Sequence, residues 1–145
     1  MNHTVLRQAQ IARCLVVLNG SPADDRALDI AFELAHYPSG SLRALLLQGE
    51  FRAYSTSTDE LRRWHAAWHE RFVGHAFRLS DRAYGQGLRL PIDLIEGGRH
   101  SWLRGWIEDE GFDLVVVAHE QRAYLPMSLV ARVRRWATCP VVAVK

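Results

Sequence analysis

The feature that most limits what this chain can become is an alternation of short apolar runs with amphipathic stretches from one end to the other. Cys14-Leu15-Val16-Val17-Leu18 is the first run, closed by the turn signal Asn19-Gly20-Ser21-Pro22. Ser21 suits a helix cap and Pro22 a first helical position, where a missing N–H costs nothing. Ala27, Ile30, Ala31, Leu34 and Ala35 then recur at spacings of three and four, the period of one helical face, until Tyr37-Pro38-Ser39-Gly40. A second strand is expected over Leu42–Leu47. Ser57-Thr58-Asp59-Glu60 reads as a capping box opening the longest helix, with Leu61, Trp64, Trp68, Phe72, Ala76, Leu79 and Ala83 as its core-facing stripe.

That helix should end at Gly85-Gln86-Gly87, and Leu88–Ile95 should form a third strand. Pro91 assigns this strand to a sheet edge, because proline removes a ladder donor. Trp102, Leu103, Trp106 and Ile107 share one side of a short helix that Gly111 is placed to terminate. Leu114-Val115-Val116-Val117-Ala118 is an unbroken apolar strand, the pattern of a strand covered on both faces. A loop over His119–Met127, a helix over Ser128–Trp136 and a closing strand over Cys139–Val144 complete the order β-α-β-α-β-α-β-α-β. Parallel neighbours need crossover elements, so this order implies one α/β domain over 1–145: a mostly parallel five-stranded sheet between two helical layers. Residues 1–12 are an N-terminal extension to it.

Composition narrows the function. With 18 Lys+Arg against 16 Asp+Glu, the formal charge of +2 predicts no nucleic-acid partner. No apolar stretch reaches the roughly 18 residues needed to span a bilayer, and the N-terminus lacks the pattern of a secretory signal, so the cytoplasm is the expected compartment. Cys14 and Cys139 fit no pairing or C-x-x-C pattern and are expected to be buried structural thiols.

Several segments together resemble the universal stress protein family. Val16-Val17-Leu18-Asn19-Gly20-Ser21-Pro22-Ala23-Asp24-Asp25-Arg26-Ala27-Leu28 is similar to that family's opening, a strand ending in Asp-Gly-Ser before a helix containing Arg-Ala-Leu. Gly111-Phe112-Asp113-Leu114-Val115-Val116-Val117 looks like its fourth strand, and Thr138-Cys139-Pro140-Val141-Val142-Ala143-Val144 like its last. The resemblance implies an adenine-nucleotide-alpha-hydrolase-like sandwich with strand order 3-2-1-4-5, and a homodimer paired through the last strand, Val141–Val144. An apolar edge strand at that position would otherwise stay open as a template for another strand.

The resemblance also implies a nucleotide cleft, and here the sequence departs from the family. Nucleotide-binding members follow the fourth strand with Gly-x2-Gly-x9-Gly-Ser/Thr, because only a chain without Cβ atoms brings its N–H groups close to a phosphate. This chain has Ala118 and Gln121 at the first two glycine positions and Met127-Ser128 at the last pair. The stretch between Gln121 and Met127 is shorter than the family's, and Pro126 removes a donor from it. Asn19 stands where many members place an Asp that contacts adenine. The degenerate cleft is thus Asn19, Ala118, Gln121 and Ser128, with no cofactor expected; ATP or AMP in a rebuilt loop is the alternative. Ser128 is read as the cap of the last helix, and Arg122, Arg132, Arg134 and Arg135 as solvated surface.

Other constellations point to no chemistry. His65 and His69 lie one helical turn apart, but a zinc site needs a third ligand and usually a fourth, so no metal is expected. His119-Glu120 has no marked nucleophile beside it, and G-x-S-x-G is absent, so the chain is not expected to be an enzyme. The pairs Trp64/Trp68 and Trp102/Trp106 are read as core, any surplus as a surface for an unknown protein partner. The expected function is a non-catalytic stress-response or regulatory domain; the alternative is a small-molecule or nucleotide binder.

Overall fold

Five strands form one parallel sheet in the order β3-β2-β1-β4-β5. The computed structural model describes residues 13–35, 41–48, 57–95, 102–119 and 129–145. Strand β1, Arg13–Leu18, lies at the centre and pairs with β2, Ser41–Leu47, on one side and β4, Leu114–Ala118, on the other. Strand β3, Ile92–Ile95, and β5, Val141–Val144, are the edges. The order 3-2-1-4-5 and the three layers agree with expectation.

Helices α1, Ala23–Ala35, and α2, Thr58–Gly85, cover one face of the sheet; α3, Leu103–Glu110, and α4, Leu129–Trp136, cover the other. The pleat of β1 sorts the two cores. Cys14, Val16 and Leu18 face α1 and α2, whereas Leu15 and Val17 face the α3–α4 side. All five residues of β4 are buried, so its unbroken apolar run reflects cover on both faces.

Three local expectations change. The long helix opens as its capping box predicts, the Glu60 N–H donating to Ser57 Oγ at 3.3 Å, but the apolar stripe meets the core only from its middle onward. Phe72, Leu79 and Ala83 are buried and Trp68 and Ala76 pack partly against them, whereas Trp64 is 41% exposed. In the first turns of α2 Leu61 is only half-buried. Strand β3 starts at Ile92 rather than Leu88, directly after Pro91, whose carbonyl still accepts from the Ala44 N–H at 2.9 Å. Trp102 is exposed and only Leu103 and Ile107 of α3 are fully buried, with the Trp106 ring edge-on to Trp102 and tilted against Phe112. Gly111 does end α3, in the left-handed conformation at φ 68°.

The Tyr37–Gly40 turn, the loop residues from Glu120 onward and the extension 1–12 lie outside the described residues. Among the described residues no helix is long and apolar enough to cross a membrane.

Cys14 is buried and Cys139 half-buried on the other face, and both are free thiols. Burial pushes the Cys14 thiol up to about 12, with smaller contributions from Cys139 and Asp113. Cys14 in native protein should therefore resist iodoacetamide at pH 8.5 and react once urea unfolds the chain. Because its folded value is raised, it favours the native state below the ordinary 9.0 and that contribution is lost as pH rises from there toward 12. Rapid native alkylation of Cys14 would contradict this burial.

Candidate functional site

In an open parallel sheet, ligands bind outside the carboxyl ends of the strands where the strand order reverses. Here that point lies between β1 and β4, and the sequence puts Asn19 and Ala118 at it. The structure joins them: Asn19 Nδ2 donates to the Ala118 carbonyl at 3.1 Å, while Asn19 Oδ1 accepts from the Ser21 N–H at 2.9 Å. Both ends of the Asn19 carboxamide are thus engaged by the chain's own backbone, and the residue is buried. Gln121 and Ser128, the other two predicted cleft residues, lie outside the described residues.

The turn after β1 is held from below by a carboxylate. Asp24, in the first turn of α1, is fully buried and accepts from the Asn19 N–H at 3.0 Å and the Gly20 N–H at 2.8 Å. Its own N–H donates to the Ser21 carbonyl at 3.0 Å. Asp24 thus reaches back to two backbone donors of the turn that precede the helix, whereas Ser21 Oγ, expected to cap the helix, is buried without a hydrogen-bond partner. Gly20 sits at φ 84°, a left-handed conformation that glycine adopts without steric cost.

Helix α2 braces the same turn from the side. The Phe72 ring lies against Gly20, so close that a Cβ there would stand 2.8 Å from Cε1. Trp68 packs on Phe72 with ring centroids 5.0 Å apart. One turn further along, His75 Nε2 lies 2.8 Å from Asp24 Oδ2. At the end of β2, buried Gln48 donates its N–H to Ile95 at 2.8 Å and offers Oε1 to His69 Nδ1 at 3.3 Å. At the end of β4, His119 donates its N–H to Val144 at 2.6 Å, while its Nδ1 is buried without a partner.

The sequence singled out Asn19 and Ala118, which the structure brings together, but gave no weight to Asp24 and His75, which meet each other, or to Gln48, which meets His69. Asp24 carried a signal: an acidic residue three positions after Ser21 and next to a glycine turn has two backbone donors within reach. His75 carried none, since its contact spans 51 residues. Among the described residues no group of three His, Cys, Asp or Glu side chains that could hold a metal ion occurs.

Known proteins share this arrangement of strands and helices. The chain superimposes on a protein of the universal stress protein family from Burkholderia pseudomallei with a TM-score of 0.64 at 22% identity, covering 93% of this chain and 96% of that one. For universal stress protein UspA from Lactobacillus plantarum the TM-score is 0.68 at 14% identity, with coverage of 94% and 99%. A universal stress protein family protein from Arabidopsis thaliana with AMP bound gives 0.62 at 16% identity, with coverage of 92% and 91%. No curated protein sequence matches the chain. The sequence model of the universal stress protein family matches residues 10–145, from before β1 to the last residue, and the chain belongs to that family.

Proposed function

We propose that this chain is a non-catalytic regulatory domain of the stress response that acts as a homodimer through protein contacts and does not hold ATP in the family's usual pose. The observation that carries this reading is the Asn19 clamp. A side chain in the position from which other members reach adenine is tied to Ala118 and Ser21 here. The glycine-poor sequence from Ala118 to Ser128 supports the same reading, since close approach of backbone N–H groups to phosphate needs glycine.

A homodimer through β5 is supported by the contrast between the two sheet edges. Strand β3 is preceded by Pro91 and carries Asp93, paired with Arg43 at 2.9 Å; charge and proline guard an edge against further pairing. Strand β5 reads Val-Val-Ala-Val with no charge, and it stays half-exposed. Ala143→Pro removes a donor from the middle of β5 and should convert a dimer to a monomer in sedimentation at micromolar concentration. A parent chain that sediments as a monomer would refute the dimer outright.

A second reading, an AMP-sized ligand in the same crevice, is favoured by one observation: Ser21 Oγ and His119 Nδ1 are buried and unsatisfied, at the ends of the two strands that flank the switch point. The Arabidopsis relative was solved with AMP bound. Calorimetric titration with Mg-ATP and with AMP separates the readings. Silence with both upholds a nucleotide-independent domain, whereas micromolar AMP binding lost in Ser21→Ala or Asn19→Ala selects the second.

A further inference from the structure

His75 stands between a carboxylate and a guanidinium. Its Nε2 lies 2.8 Å from Asp24 Oδ2, and its Nδ1 lies 3.3 Å from Arg78 Nη2. Neither neighbour leaves a choice of tautomer. A carboxylate accepting two backbone N–H groups takes a third, so Nε2 must carry the proton; a guanidinium only donates, so Nδ1 must present its lone pair. Arg78 also donates to Asp25 at 3.0 and 3.3 Å, and Arg82 donates to the same Asp25 Oδ1 at 2.6 Å and to Asp29 at 2.5 Å. Among the described residues, the charged groups bonded to His75 are Asp24 from α1 and Arg78 from its own helix, with Asp25 and Arg82 one step removed.

We propose that the Arg78–His75–Asp24 relay is a protonation-sensitive latch between α2 and the turn Asn19–Ser21. When Nδ1 gains a proton it becomes a second donor pointed at a donor, and two positive groups face each other. Arg78, half-exposed and already holding Asp25, is the member that moves. It transfers wholly to Asp25, where it competes with Arg82. The Nε2–H bond to Asp24 meanwhile becomes an ion pair and tightens the brace under Asn19 and Gly20. The Arg78 and Arg82 guanidinia hold the Asp25 carboxyl below its ordinary 3.8, so Asp25 stays an acceptor throughout a titration from pH 8 to pH 5. The device concerns the crevice turn itself and stands whether or not that crevice binds a nucleotide.

Nitrogen-15 NMR of the full chain tests it. In the neutral His75 ring, Nε2 should be protonated and Nδ1 unprotonated. On acidification both nitrogens become protonated, and the Asn19 and Gly20 amides and the Arg82 Nε resonance shift along the same curve. In His75→Gln those three responses vanish. Should that variant not fold, Arg78→Met alters only an exposed side chain: the Asn19 and Gly20 responses persist, and the response at Arg82 disappears. A neutral His75 ring that carries its proton on Nδ1, amide responses unchanged in His75→Gln, or an Arg82 response surviving in Arg78→Met would each overturn the latch.

Discussion

Gly20→Ala is expected to lower the unfolding free energy by about 3 kcal/mol, the sum of a strain term and a clash term of about 1–3 kcal/mol each. The strain arises because φ 84° is unfavourable for any residue with a Cβ. The clash arises because that Cβ would stand 2.8 Å from Phe72 Cε1. Phe72 cannot swing aside freely, since it is 5% exposed and packs in a T-shaped contact with Trp68. Gly87 supplies the control: it has φ 75° but nothing within 4 Å of its added Cβ, so Gly87→Ala should show the strain alone, about 1 kcal/mol. Urea unfolding of both variants measures the difference. Equal losses at Gly20 and Gly87 would mean that α2 does not press on the turn.

Asp24→Ala is expected to cost about 3–5 kcal/mol, the range for removing one partner of a buried polar network. The Asn19 and Gly20 amides and the His75 ring all lose the acceptor they share. No water replaces it easily at a residue with no solvent exposure. Asp24→Asn keeps one oxygen for the backbone but turns an amide donor toward another donor, so it should fall between the parent and alanine. The check is again equilibrium unfolding, with a loss under about 1 kcal/mol contradicting the network. The comparison with Arg82→Ala sharpens it, since the Arg82 pairs with Asp25 and Asp29 stay partly open to solvent and such pairs are worth about 1 kcal/mol or less.

The sheet was legible because local and global signals coincide in it. The strand runs Leu15–Leu18 and Leu114–Ala118 are continuous because both faces are covered, and the resemblance supplied the order that periodicity alone leaves open. The long helix shows where period fails. Leu61 and Trp64 obey the same spacing as Phe72 and Leu79, but spacing reports which side of a helix is apolar and not how far the neighbouring sheet extends. At the site, Asn19 and Ala118 were singled out only through the family resemblance, at the positions matching its motif. The direction of the Asn19 carboxamide was not legible, since its partners are the backbone of another strand and of its own turn. His75 was invisible for the same reason: a contact made by docking one helix on another has no local trace.

The Asn19 clamp bears on how this chain could change over evolutionary time. A sheet whose seam is closed by a bound cofactor loses its seam when the loop that grips the cofactor mutates. Here the seam between β1 and β4 is stitched by a side chain of the first strand's own turn, to a carbonyl that any residue at position 118 would supply. Substitutions in the stretch that follows are then largely decoupled from the integrity of the sheet. A chain with such a stitch can change the residues that follow Ala118 without losing the side-chain link between the two central strands.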